Sequence, residues 1–370
     1  MTTTQIAAEA TTRAAASGRL RAGVVGGGIG AQHVGALKEL PDLFDVAAIC
    51  DIDQVRAQAI AAENDIPLAL TDFDSLIARD DIDIIHICTP PVQHAAQITA
   101  ALKAGKHVVC EKPIAGSLAD IDRIAALERD TGLLVSPIFQ YRFGNGMRKL
   151  LHLRDRGVLG KCYLATVETH WRRGADYYAV PWRGRFETEL GGCLVSHAIH
   201  AHDLFVHALG PIANVHGRTA TRVAPIETED CAILSLEMEN GTLAALSVTL
   251  GASVQHTRMR FCFEKATVQS NLLPYEPDIE PWLYEPADEV AEKEIEAALA
   301  DFTPALERYT GQFSAIHAAI SSGAEAPVTI ADGRRSIELA TAAYYSSMTG
   351  EAVSLPIGPN HPYYNGWRPE

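Results

Sequence analysis

The sequence lacks the cues that would send it to a membrane, a nucleic acid or a metal. No apolar run is long enough to span a bilayer, no stretch is basic, and neither H-E-x-x-H nor C-x-x-C is present. Cysteine is sparse: Cys50, Cys88, Cys110, Cys162, Cys193, Cys231 and Cys262 are scattered and odd in number. That fits buried small hydrophobes in a reducing compartment and not a disulfide framework. Residues 1–20 place Arg13 and Arg19 among alanines and threonines without the apolar core of a secretory signal; they read as a disordered tail, and the chain as cytoplasmic. No segment repeats at a fixed period. Negative charge is what the chain has in excess: a formal net charge of −15 and a pI of about 5.4 set it against phosphate backbones and anionic membrane faces. The expected partner is a small molecule or another copy of the chain.

At 370 residues the chain has room for two domains, and its texture changes once. Over 21–143, short apolar runs (Ala22 to Gly26, Val46 to Cys50, Asp83 to Cys88, His107 to Cys110, Leu133 to Pro137) alternate with amphipathic segments (Gln54 to Asn64, Gln93 to Ala104, Leu118 to Thr131). Such alternation predicts a parallel sheet covered by helices on both faces. Over 144–370 a helix from Met147 to Arg156 closes at Gly157. Period-two runs follow over Tyr163 to Thr169, Cys231 to Glu239 and Thr242 to Leu250, the last two joined by the hairpin pair Asn240-Gly241. A proline-rich loop covers Pro274 to Pro286. Helices are then expected over Pro304 to Ser321 and from an Asp332 cap to Gly350, the latter with Ile337, Ala340, Tyr344 and Met348 on one face.

Gly26-Gly27-Gly28-Ile29-Gly30 follows the first run and opens a helical pattern. Glycines permit the tight turn and a close approach of a pyrophosphate, and the helix start supplies free amides. Gly26 and Gly28 fit G-x-G-x-x-G, with Ala31 at the third position. The second run ends at Asp51, whose carboxylate can accept from both adenosine ribose hydroxyls and repels a 2′-phosphate; Asp53 falls in the following turn. The fold class is therefore α/β: an N-terminal Rossmann domain that binds NAD in preference to NADP, and a C-terminal α/β domain built on an open, largely antiparallel sheet.

The segment Gly105 to Pro113, G-K-H-V-V-C-E-K-P, resembles the signature of the Gfo/Idh/MocA oxidoreductases, named for glucose–fructose oxidoreductase and inositol dehydrogenase. Gly30-Ala31-Gln32-His33, Thr89-Pro90-Pro91 with His94, Tyr141-Arg142-Phe143, Gly191-Gly192 with His200 and Asp203, and Pro327-Val328 with Asp332-Gly333 are similar to the family's other features, in order, over about residues 20–357. The resemblance implies cofactor contacts at Thr89, Pro90, His94, Glu111 and Lys112, a catalytic lysine at 112, a bond before Pro113 that is often cis, and homodimers or homotetramers formed through the exposed face of the second sheet.

The chemistry expected is oxidation or reduction of one secondary alcohol carbon on a sugar, cyclitol or glycoside. The cofactor carries the hydride; Lys112 stabilises the reacting oxygen and His200 exchanges the proton near neutrality. This requires both groups to converge beside one nicotinamide. Asp203, three residues beyond His200, orients the ring or is structural. Where the family often has an aspartate four residues before the histidine, this chain has Ser196, then His197, which weakens a histidine–aspartate relay. Arg142, Trp171, Tyr178, Arg183, Ser196, His197 and Asp203 are the substrate candidates, because aromatic faces stack on sugar rings and arginines reach their oxygens. His197 and His200 stand one helical turn apart, but no metal is expected. Two alternatives are a glycosidase that oxidises its substrate transiently and a non-catalytic dinucleotide sensor.

Overall fold

The computed structural model describes residues 18–367, which fall into two compact units. One runs to Ile138 and includes Tyr309–Arg334; the other holds Phe139–Arg308 and the chain from Arg335. The sequence reading placed the division at 143/144 and assigned everything beyond it to the second domain. The correction comes from the helix Arg308–Ser322: its Phe313, Ile316 and Ile320 are buried in one core cluster with Leu20, Val24, Val34 and Leu37. Periodicity identifies such an apolar stripe but not the sheet that will cover it. The expected tail lies outside the described residues up to 17, while Leu20 already opens the first strand.

The first unit contains β1 (Leu20–Val25), α1 (Gly30–Lys38), β2 (Phe44–Cys50), α2 (Gln54–Glu63), β3 (Ala69–Leu70), α3 (Phe73–Ile77), β4 (Ile84–Ile87), α4 (His94–Lys103), β5 (His107–Cys110), α5 (Leu118–Thr131) and β6 (Val135–Pro137). The strands form one parallel sheet in the order β3-β2-β1-β4-β5-β6. β4 and β5 are buried throughout, as strands covered on both faces must be. Local chemistry sets the helix ends. Asp53 caps α2 through the Val55 and Arg56 amides, Ser117 caps α5 through the Asp120 amide, and Gly132 at φ 69° ends α5. β3 and α3 are too short to leave a periodic signal.

The second unit contains α6 (Asn145–Asp155), β7 (Cys162–Arg172), α7 (Ile199–Leu209), β8 (Ile212–Ala220), β9 (Cys231–Met238), β10 (Leu243–Thr249), β11 (Gly251–Phe263), β12 (Ala266–Gln269), β13 (Leu283–Pro286), α8 (Glu289–Ala300) and β14 (Val353–Ser354). Helix α9 (Arg308–Ser322) belongs almost wholly to the first unit, and α10 (Ile330–Thr349) passes from the first into the second. The eight strands are ordered β13-β12-β11-β7-β10-β9-β8-β14, with every pairing antiparallel except β7 with β10. Asn240-Gly241 makes the expected hairpin between β9 and β10, with Gly241 at φ 84°. One sheet face is packed: Ala165, Val167 and Trp171 of β7 point inward, while Glu168 and His170 lie on the other side.

Two details of α10 differ from the sequence reading. Asp332 lies inside the helix; Thr329 precedes it, accepting from the Asp332 amide while the Asp332 carboxylate accepts from the Thr329 amide and hydroxyl. This is a capping box read three residues late. Ile337, Ala340 and Tyr344 are buried, but Met348, one turn further, is 62% exposed.

Candidate active site

In the first unit the glycine loop leaves β1 at its carboxyl end. Gly26 has φ +93°, and a Cβ there would stand 2.5 Å from the Cys88 carbonyl oxygen, so only glycine fits. The Gly27 amide donates to Asp51 Oδ2 at 2.6 Å. A Cβ on Gly28 would meet no atom within 4 Å: the protein's own packing leaves the crest of the loop open. Gly30 starts α1 pressed against Val24, and Ile29 beside it is exposed. Asp51 is buried at the end of β2, its Oδ1 accepts the Asp53 amide at 2.8 Å, and Arg56 approaches at 3.3 Å. An open glycine crest beside a fixed carboxylate suits a dinucleotide's pyrophosphate and ribose.

The next two strand ends complete this edge. The Thr89 hydroxyl donates to Gln97. His94 is fully buried, with Nε2 2.8 Å from the Thr89 carbonyl and Nδ1 2.7 Å from the Pro113 carbonyl. It was read as a cofactor contact; having no exposed edge, it is instead a latch between two loops. The Lys112–Pro113 bond is cis. Glu111, also read as a cofactor contact, is buried and braces the turn from below. Its Oε2 accepts the Lys112 amide at 3.2 Å, and its Oε1 lies 3.2 Å from His33 Nε2 and 3.1 Å from the Tyr309 hydroxyl. His33 Nδ1 lies 3.1 Å from His86 Nδ1. If His33 donates to Glu111, its Nδ1 accepts from His86, whose burial holds its pKa well below the ordinary value and keeps it neutral. Lys112 itself is half-buried and Pro90 borders the same edge.

In the second unit a π-helical turn, Cys193–His197, leads into α7. Such turns are rare and recur at functional sites. Glu229 holds it: Oε2 accepts the Gly192 amide and Oε1 the Leu194 amide, both at 3.0 Å, while the Glu229 carbonyl accepts the Cys193 amide. Burial pushes the Glu229 carboxyl up to about 7. A Cβ on Gly192 would lie 1.9 Å from the Glu229 carbonyl oxygen, so the glycine allows this clasp. Ser196 and His197 sit on the turn. His197 packs against the rings of Trp171 and Tyr177, and His200 lies 4.9 Å from the Tyr141 ring and edge-on to Phe139. His202 is buried, and desolvation drops its pKa to about 3.

Several substrate candidates have structural work. Arg142 gives Nε and Nη2 to the two Asp203 oxygens at 2.7 and 2.6 Å, and both residues are buried. Trp171 is 6% exposed and its indole donates to Thr257 Oγ1, so it is a packed core residue and not a free stacking platform. Tyr178 packs edge-on to Tyr177, and the Arg183 guanidinium lies 3.9 Å from the Tyr177 ring. Among the described residues the group that could hold a cation is Glu168, His170 and His256, on the outer sheet face, where Arg258 already pairs with Glu168.

Comparison with known proteins identifies the family and the fold. Residues 20–139 match the model of an oxidoreductase family with an NAD-binding Rossmann fold, and residues 147–269 match the GFO/IDH/MocA C-terminal domain. The chain belongs to the Gfo/Idh/MocA oxidoreductase family. It is 26% identical to the uncharacterized oxidoreductase YrbE of Bacillus subtilis over 90% of this chain and 96% of that one. It is 26% identical to D-glucoside 3-dehydrogenase of Escherichia coli over 68% and 76%, and 28% identical to myo-inositol 2-dehydrogenase of Thermotoga maritima over 52% and 55%. The WlbA dehydrogenase of Bordetella pertussis, solved with NADH and UDP-GlcNAcA, superposes with a TM-score of 0.80 at 25% identity, covering 92% of this chain and all of that one.

For this Gfo/Idh/MocA member, the residues that sequence reasoning missed are the supports: Glu229, His86 and Tyr309. Each acts across a long sequence separation. The only signal for Glu229 is an acidic pair, Glu229-Asp230, directly before an apolar strand.

Proposed function

We propose that this chain transfers hydride between NAD and a secondary hydroxyl on a polyhydroxylated ring of the sugar, cyclitol or glycoside class. The observation that carries the reading lies within the first unit: Lys112 follows β5 on a turn braced by Glu111, while the glycine loop and Asp51 follow β1 and β2 of the same parallel sheet. Ligands of such sheets bind outside the strands' carboxyl ends. The amides from Gly26 to Gly30 would hold the pyrophosphate, and Asp51 the adenosine ribose, its charge disfavouring a 2′-phosphate. Bound there, the nicotinamide supplies the hydride chemistry. Lys112 donates a hydrogen bond to the reacting oxygen and stabilises its alkoxide character. His200 takes the hydroxyl proton. The relatives named for inositol and glucoside dehydrogenation support the substrate class. Exposed Leu164, Ile233 and Leu243 on the outer sheet face are read as a contact between copies.

Purified protein with NAD and a panel of inositols, aldoses and glycosides should build the absorbance band of reduced nicotinamide. Lys112→Ala should lower kcat at least about 10²-fold; unchanged turnover would remove Lys112 from the mechanism. Release of an aglycone without net reduced cofactor would instead identify redox-assisted elimination, and no turnover of any ring alcohol would leave a sensor.

A further inference from the structure

Among the described residues, arginines repeatedly seat a carboxylate on their Nε and Nη2 donors: Arg21 with Asp83, Arg79 with Asp81, Arg142 with Asp203, Arg154 with Asp155 and Arg334 with Asp122. Arg173 has the same edge with no carboxylate seated on it, and the Tyr177 hydroxyl is the neighbour that hydrogen-bonds its guanidinium. Its Nη1 donates to the Arg172 carbonyl and the Tyr275 hydroxyl, both at 2.9 Å. The rings of Trp171, Tyr177 and Tyr275 stand 5.0, 5.0 and 5.5 Å from its Cζ and fix the plane. Its Nε is buried with no hydrogen-bond partner, and among the described residues no carboxylate pairs with it, although the chain carries 46 acidic side chains against 31 Lys and Arg. A second guanidinium, Arg183, lies over the same Tyr177 ring at 3.9 Å, and its only ion pair among the described residues is a 3.5 Å approach to Glu189. Two cations around one ring with one distant carboxylate leave a local positive field in an acidic protein, and a buried donor without an acceptor is destabilising until something supplies one.

We propose that Arg173 is the receptor for an oxyanion carried by the substrate, so that the preferred ring alcohol is an acidic sugar. This rests on the ring-alcohol reading above and narrows it. A planar, pre-oriented guanidinium suits two-oxygen recognition of a carboxylate or a phosphate. A sugar carboxylate and a sugar phosphate share that chemistry and are separated by the test.

Steady-state rates with NAD are compared for glucuronate, galacturonate, glucose 6-phosphate, glucose and myo-inositol, using the full chain and Arg173→Gln and Arg173→Lys variants. The expected result is a higher kcat/KM for the acids than for the neutral sugars, lost roughly 10- to 100-fold in Arg173→Gln mainly through KM, partly restored in Arg173→Lys, with rates on neutral sugars changed less than about threefold. Preference for the uronates assigns a carboxylate, and preference for glucose 6-phosphate a phosphate. Neutral sugars turned over as well as acids by the parent protein overturn the proposal, whatever the variants do. Should no ring alcohol turn over, calorimetric titration with glucuronate and glucose 6-phosphate decides it separately: binding lost in Arg173→Gln keeps the anion receptor while the dehydrogenase reading falls, and no binding at millimolar anion ends both.

Discussion

Replacing Glu229 with glutamine separates what its carboxylate does as an acceptor from what it costs as a buried charge. The two oxygens take the Gly192 and Leu194 amides, and Cys193 and Tyr344 pack around them. Burial raises the carboxyl from 4.5 to about 7. A carboxyl raised in this way holds its proton in the folded state over a range where the unfolded chain has released it. The stability it contributes is therefore complete below about pH 4.5 and is lost as pH rises through about 7. At about 1.4 kcal/mol per pH unit, that loss comes to about 3 kcal/mol. Glutamine keeps one acceptor but turns an NH2 toward the other amide, a cost of about 1–3 kcal/mol that does not vary with pH. Glu229→Gln should thus be the less stable protein at pH 5, and the gap should close or reverse by pH 8. For a unit of about 200 residues, at roughly 2–4 °C per kcal/mol, the difference in Tm between parent and variant should move by about 6–10 °C over that range. Thermal melts of both proteins at matched ionic strength from pH 5 to 8 measure it. Asp278, also raised to about 7 by burial, acts equally in both melts and cancels. A Tm difference that stays within about 2 °C across the range refutes the reasoning.

Three further outcomes follow from distances already given. Gly26→Ala forces a side chain into φ +93° and against the Cys88 carbonyl; about 1–3 kcal/mol of strain at the loop should weaken NADH binding about tenfold or more, read by nicotinamide fluorescence. Asp51→Ala removes the charge proposed to reject a 2′-phosphate while leaving Arg56 in place, so the ratio of kcat/KM for NAD over NADP should fall at least about tenfold. Arg142→Ala leaves the Asp203 carboxylate buried without its guanidinium and should cost about 3–5 kcal/mol in urea unfolding; Arg142→Lys should recover little, because one ammonium cannot meet both oxygens.

How much of this was legible in the sequence follows from the range over which each feature is specified. The glycine loop, Asp51 and five of the six first-unit strands are local: φ-permissive residues, a strand end and an apolar run are each readable within ten residues, and these stand where the pattern put them. The hairpin at Asn240-Gly241 was legible for the same reason. β8, β11, β12, β13 and α8 were not read; of these β11 was legible, since its inward Met259 and Phe261 alternate with Arg258 and Arg260 in the period-two pattern of a half-buried strand. The site divides along the same line. Lys112 and His200 could be named from motifs, but what holds them in place comes from elsewhere in the chain: Tyr309, 198 residues after Glu111, and Glu229, 37 residues after Gly192. Composition also misleads about purpose. Trp171 and Arg173 stand two residues apart in the same aromatic, basic segment, yet the tryptophan is spent on the core through Thr257 while the arginine keeps its Nε donor unspent. Residue type suggested a sugar platform for the whole segment. Only the count of satisfied donors separates the residue that packs from the one that is open to bind, and it moves the expected contact from a ring face to an oxyanion.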